Sequence, residues 1–244
     1  MKFDIHRFSS CPSTNDVARD LALRGAAEGT VVVADEQTSG RGTKNRRWFS
    51  PRGKGLYVSL ILRPRGGGLS LMPLAAGVAV SEALEKVCRL EARLRWPNDV
   101  VWEGKKLGGI LCESGFLGNR PDYVILGVGL NVNHVEGDFP EELRPAAVSI
   151  RMIQGREWDR DLILRSVLLR GALWGARVAR GEREAILSSF ERRSAFRKGE
   201  SLRVAADGAM IEGEYQGLDE TGALVLKGPA GTWRFTGAEI EGLV

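Results

Sequence analysis

The sequence of 244 residues predicts an α+β fold, in which a larger unit of buried strands and helices is followed by a small β-barrel. The runs 30–34 and 124–130 are continuous and apolar, as is typical of strands that are buried on both faces. The segment 70–88 is apolar nearly all the way round, which predicts a helix buried within the larger unit. From about residue 198, short strands alternate with turns, a pattern typical of a small barrel of about 45 residues.

We predict a domain boundary near residue 195, which divides a domain of residues 1–195 from one of residues 196–244. Capping residues, glycine turns and helical spacing predict the remaining elements. They are a strand over 1–9, a helix over 14–24, a strand over 55–62, a strand with its returning strand over 94–113, and helices over 159–180 and 182–193. Turns are predicted at 65–68, 103–104, 206–208, 219–222 and 228–231.

Cysteine usage and the amino terminus predict a soluble cytoplasmic protein. Cys11, Cys88 and Cys112 are odd in number, lie far apart and form no Cys-x-x-Cys pair, which argues against a disulfide framework or a zinc site. Residues 1–7 contain no apolar signal core. No run reaches the roughly 18 apolar residues that a membrane-spanning helix needs.

Positive charge is concentrated in one loop that follows the strand at 30–34. Six basic and no acidic residues lie between Arg41 and Lys54, and removing these six leaves 29 basic against 31 acidic residues in the rest of the chain. Gly40 and Gly42 allow the backbone of this loop to approach a ligand closely. Because the charge is local, the loop favours a defined phosphate-bearing ligand over a long nucleic acid.

The candidate catalytic groups are cations, one carboxylate and glycine-broken strands. His6 and His134 are the only histidines and neither lies in a nucleophile motif, so a hydrolase triad is not predicted. Attack of a carboxylate on a nucleoside triphosphate needs cations for the phosphates and no protein nucleophile. Taken alone, Lys106 is more often an ordinary hairpin lysine, and Asp99 a turn residue that binds its own backbone.

Five motifs, in this order and spacing, resemble those of the biotin protein ligases. They lie at 13–15 (Ser-Thr-Asn), at 37–42 (Gln-Thr-Ser-Gly-Arg-Gly) with 46–48 (Arg-Arg-Trp), at 95–99 (Arg-Trp-Pro-Asn-Asp), at 106–113 (Lys-Leu-Gly-Gly-Ile-Leu-Cys-Glu) and at 127–133 (Gly-Val-Gly-Leu-Asn-Val-Asn). The resemblance covers about residues 8–135 in detail and the barrel in general character. It implies a class II synthetase-like mixed sheet flanked by helices, with a small SH3-like C-terminal β-barrel. About twelve residues precede the first motif, so the resemblance is to the monofunctional type without an N-terminal helix-turn-helix.

The resemblance implies a ligase with ATP and biotin as substrates and Mg²⁺ carried with the ATP, and it assigns no metal-binding residue with certainty. Biotin and ATP would give biotinyl-5′-adenylate and pyrophosphate, and biotin would then pass to one lysine of a biotin carboxyl carrier protein domain of a carboxylase. The resemblance implies no specific DNA and no membrane as partners. Homodimer formation is left open.

The resemblance also implies the roles of individual residues. A biotin-binding role falls on Ser13, Thr14, Asn15, Gln37, Gly40, Arg41, Gly42, Thr43, Trp48, Lys106, Gly109, Leu111, Gly127 and Gly129. ATP or adenylate binding falls on Arg41, Arg46, Arg47, Trp48, Asn98, Lys106 and Asn131. The implied catalytic residues are Lys106, Arg41 and Asp99, where Asp99 either orients Lys106 and magnesium or accepts a proton from the carrier lysine.

One departure from the family pattern bears on how tightly the adenylate is held. Thr43 stands where many members have an arginine, and this removes one long cationic side chain from the loop. Two other functions remain as alternatives. A lipoate or octanoate ligase or transferase of the same fold would use a similar site, whereas the Gly-Arg loop and the barrel could also form a nucleic-acid-binding module.

Overall fold

The computed structural model describes residues 1–64, 68–118, 120–206, 208–229 and 231–243. The predicted turns at 65–68, 206–208 and 228–231 include residues 65–67, 207 and 230, which lie outside the described residues. No helix in the described ranges is both long and apolar enough to cross a membrane.

Seven strands form a mixed sheet in the order β1-β2-β3-β7-β6-β5-β4. The pair β1 and β2 is parallel, and the other neighbours in this sheet are antiparallel. The strands are β1 (Asp4–Phe8), β2 (Thr30–Ala34), β3 (Gly55–Leu62), β4 (Arg93–Arg95), β5 (Asp99–Trp102), β6 (Lys105–Leu117) and β7 (Arg120–Asn131).

Helices cover both faces of this sheet, as the continuous apolar strands predict. The helices are α1 (Thr14–Leu23), α2 (Met72–Cys88), α3 (Ile150–Gln154), α4 (Arg160–Ala179) and α5 (Arg183–Arg193). Val31 and Val33 of β2 belong to the core with α2 and α4, whereas Val32 packs with Ala18 and Ala22 of α1. Successive side chains of a strand point to opposite faces, so β2 is buried on both.

A second sheet of five antiparallel strands, in the order β11-β10-β9-β8-β12, forms the small C-terminal unit. Its strands are β8 (Ser201–Ala206), β9 (Ala209–Leu218), β10 (Leu224–Gly228), β11 (Gly231–Phe235) and β12 (Glu239–Leu243). Leu202 and Tyr215 belong to the same hydrophobic core as the helices of the first unit. The indole N–H of Trp96 also donates to the carbonyl of Gly222 at 3.0 Å. The domain division at 195 stays a prediction.

The segment 94–102 differs from the single strand that the sequence predicts. β4 ends at Arg95, residues 96–98 form a turn and β5 begins at Asp99, which pairs with Arg95. Pro97 has no backbone N–H and cannot continue a strand ladder. This turn brings Asn98 and Asp99 to one end of the sheet.

Candidate active site

A cavity of about 260 Å³ lies where β6 and β7 meet the start of α1 and the loop after β2. It collects residues from all five sequence motifs, although these motifs are spread over more than one hundred positions. The predicted residues that line it are Ser13, Thr14, Asn15, Gln37, Arg41, Gly42, Thr43, Arg46, Arg47, Trp48, Asn98, Lys106, Gly109, Leu111, Gly127, Gly129 and Asn131. Gly40 and Asp99 do not line it directly, and both contact residues that do.

The glycines of β6 and β7 make room for protein side chains that enter the cavity. A Cβ atom on Gly127 would lie 2.1 Å from Oδ1 of Asn15, and one on Gly129 would lie 2.5 Å from Nε1 of Trp48. Heavy atoms that are not bonded to each other do not approach so closely. Gly127 and Gly129 therefore set how deeply Asn15 and Trp48 reach across the sheet.

The glycine-arginine loop folds into a small hairpin over residues 40–48. The backbone N–H of Trp48 donates to the carbonyl of Gly40 at 2.8 Å, and that of Gly42 donates to the carbonyl of Arg46 at 2.7 Å. Gly40 closes the base of this hairpin, because a Cβ atom there would lie 2.5 Å from the carbonyl oxygen of Trp48. The absence of a side chain at Gly40 therefore allows the two ends of the hairpin to approach each other.

Two of the predicted biotin-binding residues, Thr14 and Gln37, form a hydrogen-bonded group with Ser50. The backbone N–H and the hydroxyl of Thr14 lie 2.8 and 3.1 Å from Oε1 of Gln37. The Gln37 amide nitrogen donates to Oγ of Ser50 at 2.9 Å. Ser13 stands at the N-cap of α1, but its side chain caps none of the described backbone N–H groups of that helix. Its hydroxyl, which borders the cavity, is therefore not committed to capping.

Asn15 is more fully engaged by the protein than its predicted role in ligand binding requires. Its amide nitrogen donates to the carbonyl of Leu111 at 3.3 Å and to Oε2 of Glu113 at 2.7 Å. Both amide hydrogens are thereby committed, because a primary amide has two. Asn15 consequently shapes the wall of the cavity and orients its neighbours.

Arg41 is held at the cavity by two carboxylates. Its Nη2 lies 2.7 Å from Glu113 and 2.9 Å from Asp16, and Asp16 also contacts Arg19 at 2.7 Å. Burial lowers the pKa of Arg41, but the hydrogen bond and charge of Glu113, together with Asp16, outweigh it and the pKa is raised. The guanidinium stays charged, and its position is set before a ligand binds.

A carboxylate also holds Lys106, which lines another part of the cavity. Its Nζ lies 2.7 Å from Oδ1 of Asp99 and 5.6 Å from the centre of the Trp48 ring. The neighbouring Asn98 fixes the 96–98 turn to β6, since its side chain donates to the carbonyl of Ile110 and its carbonyl accepts the Ile110 N–H. Asp99 therefore acts on the cavity through Lys106.

Asn131, predicted to contact the nucleotide, also supports one wall of the cavity. Its buried amide nitrogen lies 3.3 Å from the carbonyl of Lys106 and 3.1 Å from that of Val148. The wall itself includes Phe139, Leu143, Ala146 and Ala147, which the sequence analysis does not identify as site residues. Their segment lacks a periodic pattern, and Phe139 and Leu143 within it are the signal that could have pointed to them.

Three polar residues near the site were also missed. Glu113 is the last residue of the motif at 106–113 and has no assigned role, and Ser50 lies within the basic loop. Ser59 lies within β3, where it is completely buried. A single serine in an otherwise apolar strand is only a weak signal of a functional role, which is why the sequence did not identify it.

In the described ranges, no group of three or more His, Cys, Asp or Glu side chains could hold a metal ion. The carboxylates at the site are already paired with Arg41, Arg19 and Lys106.

The mixed sheet, the appended small barrel and the cavity together define an α+β ligase. The chain belongs to the Biotin/lipoate A/B protein ligase family, whose model matches residues 8–131. It is 35% identical over 235 residues to the Biotin--[acetyl-CoA-carboxylase] ligase of Paracoccus denitrificans, a match covering 93% of this chain and 96% of that protein. It is also 35% identical over 238 residues to the Bifunctional ligase/repressor BirA of Bacillus spizizenii, covering 94% of this chain and 71% of that protein.

Among solved structures, the chain resembles the biotin protein ligase from Aquifex aeolicus in complex with biotin and ATP. The TM-score is 0.84 at 32% sequence identity, and the match covers 98% of this chain and 97% of the other. The resemblance extends over both sheets, and it confirms the fold class predicted from the sequence, including the small C-terminal barrel.

Proposed function

We propose that this protein is an ATP-dependent biotin protein ligase, which forms biotinyl-5′-adenylate and transfers biotin to a lysine of a carrier protein domain. The observation that carries the proposal is the cavity, because the polar residues Thr14 and Gln37 and the cations Arg41 and Lys106 all line it. An acid and a nucleotide bound there would meet in one place. The relatives named as biotin ligases support the choice of acid.

In the first step, a carboxylate oxygen of biotin attacks the α-phosphorus of ATP. A bond between this oxygen and phosphorus forms, the bond from the α-phosphorus to the bridging oxygen breaks, and pyrophosphate leaves with the electron pair. Negative charge builds up on the phosphoryl oxygens. Arg41 and Lys106 are positioned to stabilise it, and Mg²⁺ would arrive with the ATP phosphates.

In the second step, the ε-amine of the carrier lysine attacks the carbonyl carbon of the adenylate. An amide bond forms, AMP leaves and the amine loses a proton, so a base must accept it. Of the two roles open for Asp99, we favour the orienting one. Its Oδ1 already binds Lys106 at 2.7 Å, and proton acceptance would weaken that contact.

The proposed partner is the biotin carboxyl carrier domain of a biotin-dependent carboxylase. The relative from Paracoccus denitrificans is named for such a substrate, acetyl-CoA carboxylase. Arg46 and Arg47 of the loop are exposed next to the cavity, and together with Asn98 and Asn131 they are proposed to bind the adenylate.

Exchange of labelled pyrophosphate into ATP tests the proposal and separates it from its alternatives. We expect exchange that depends on biotin and not on lipoate or octanoate. Exchange supported by lipoate alone would reassign the acid within the same family. No exchange with any of the three acids would contradict the ligase mechanism.

A further inference from the structure

Ser59 places a hydroxyl group directly behind the proposed biotin-binding residues. It lies in the middle of β3, opposite Gly127 of β7, and is completely buried. Its Oγ is 2.8 Å from Oγ1 of Thr14 and 2.6 Å from Oδ1 of Asn15. Both distances are typical of hydrogen bonds, but a serine hydroxyl has a single hydrogen, so Ser59 can donate in only one of them.

The proton of Ser59 must go to Asn15. The amide orientation of Asn15 is fixed, since its nitrogen donates to Leu111 and Glu113, so Oδ1 is the atom that faces Ser59. That oxygen can only accept. The hydrogen bond between the hydroxyl groups of Ser59 and Thr14 then uses the Thr14 proton. This proton points to Ser59 and away from the cavity.

The orientation of Gln37 is fixed independently at its other end. Ser50 donates to the carbonyl of Trp48 at 3.0 Å, so it accepts from the Gln37 amide nitrogen at 2.9 Å. Oε1 of Gln37 therefore faces Thr14 and accepts the Thr14 backbone N–H at 2.8 Å. Three oxygen–oxygen contacts, from Ser59 to Asn15, from Ser59 to Thr14 and from Thr14 to Gln37, share two hydroxyl protons. The contact between Oγ1 of Thr14 and Oε1 of Gln37 is the longest at 3.1 Å, so we assign the missing proton to it and treat these two oxygens as an acceptor pair.

We propose that Ser59 is a positioning residue that determines ligand specificity, because it turns the Thr14 proton inward and creates an acceptor pair for a ligand N–H. The ureido ring of biotin carries such N–H groups, so this inference rests on the proposed function. An acid without an N–H, such as lipoate, would leave the two oxygens facing each other unpaired. A site built to hydrogen-bond a ligand N–H strongly disfavours a ligand that lacks it, because its buried acceptors are then left unpaired.

Ser59→Ala tests this inference, with Ser81→Ala as the matched control. The Ser81 hydroxyl is also buried and donates to a backbone carbonyl, that of Ala92, at 2.8 Å, but it belongs to α2 and does not line the cavity. For Ser59→Ala we expect the KM for biotin to rise roughly tenfold or more, with kcat at saturating biotin and the KM for ATP within about twofold of wild type. Ser81→Ala should leave all three constants unchanged.

The preference for biotin over an analogue methylated on a ureido nitrogen distinguishes a specific role of Ser59 from a merely structural one. A merely structural role of Ser59 would not change this preference. Wild type should prefer biotin over this analogue, and in Ser59→Ala that preference should shrink. Equal loss for both ligands, or a KM for biotin no higher than that of Ser81→Ala, would overturn the inference. Should Ser59→Ala not fold, Ser59→Cys keeps the side-chain size with a weaker donor, and the same comparisons decide. Wild type without biotin-dependent exchange would refute the proposed function instead.

Discussion

Arg41 and Lys106, two of the cationic residues that line the candidate site, are anchored by carboxylates before any substrate is present. Arg41 contacts Glu113 and Asp16, and Lys106 contacts Asp99. These long side chains lose conformational entropy when they are fixed, and ion pairs fix them in advance. The phosphoryl group would then meet cations that need little reorganisation, which is the condition for effective electrostatic catalysis.

Lys106→Ala should retain biotin binding and lose adenylate formation. A cation that meets charge developing in the transition state contributes about 3 kcal/mol, or roughly a hundredfold in rate. Rapid-quench measurement of adenylate formation and calorimetry of biotin binding separate the two effects. A rate of adenylate formation comparable with wild type would remove Lys106 from the mechanism.

Gly127→Ala should abolish biotin binding, because the new methyl group would meet Oδ1 of Asn15 at 2.1 Å and push this side chain out of place. Gly171→Ala in α4 is the control, since a Cβ atom there meets no described atom within 4 Å and alanine favours a helix. Calorimetry with biotin compares the two variants. Similar biotin affinities for both would show that the close approach at Gly127 has no role in the site.

Residue-level prediction works best where a residue type is costly at its position. Gly127 and Gly129 are costly in strands, and a Cβ atom on either would collide with Asn15 or Trp48, whereas their biotin-binding role stays a prediction. It falls short for Ser59, because a single serine within eight strand residues looks like an ordinary tolerated substitution. Only the three-dimensional neighbours reveal what its hydroxyl does.

At the scale of elements, the loop 37–50 is the part of the site with the least support from regular structure. Its hairpin is closed by a few backbone hydrogen bonds, and Arg46 and Arg47 at its end are exposed. Like charges in a glycine-containing loop oppose order. The anionic phosphate of the adenylate and the burial of Trp48 would offset this, so we predict that the loop closes on the intermediate.

Amide exchange between Gly40 and Trp48 should slow sharply when biotinyl-adenylate binds, and less with biotin alone, which lacks the phosphate.

A Thr43→Arg variant should release the adenylate more slowly than wild type, because it adds a long cationic side chain to the cavity wall. Off-rates measured by competition give the comparison. If the variant holds the intermediate no longer than wild type, the proposed effect of Thr43 is wrong.

Elements were predictable where periodicity was strong, and less so at the turns that shape the site. The buried strands β2, β3 and β7 and the helix α2 agree with the predicted segments. The strand predicted over 94–102 lacks the break between β4 and β5, although Pro97 and the polar residues Asn98 and Asp99 are signals of a turn there. The short helix α3 was also missed, because five residues carry too little pattern.

At the scale of the whole molecule, a buried histidine connects the active-site loop to the core. No described residue hydrogen-bonds to either ring nitrogen of His134, whose ring stacks on Phe139 at a centroid distance of 4.8 Å. Phe49, at the end of the basic loop, lies 6.4 Å from the same ring. Burial lowers the pKa of His134 from 6.5 to about 4.

Acid should therefore destabilise the protein through His134. The folded pKa lies below the unfolded one, so this contribution to stability is complete above about pH 6.5 and is lost as the pH falls toward 4. The full loss, which is approached below pH 4, is about 3 kcal/mol, and about 2 kcal/mol of it has occurred by pH 5. Urea unfolding at pH 7.5, 6 and 5 measures it, with His134→Phe as the comparison that keeps the aromatic stack. Equal pH dependence in both proteins would show that another group causes the loss.

Isolation of the reaction intermediate tests most directly whether the cavity activates biotin with ATP. Enzyme incubated with labelled biotin, ATP and Mg²⁺ is separated from free ligands and then mixed with a biotin carboxyl carrier domain, whose intact mass is measured. We predict that labelled biotinyl-adenylate travels with wild-type enzyme, that the carrier gains one biotinyl group on a single lysine, and that Lys106→Ala yields neither product. Wild-type enzyme that binds biotin and ATP but forms no adenylate would contradict the proposed function.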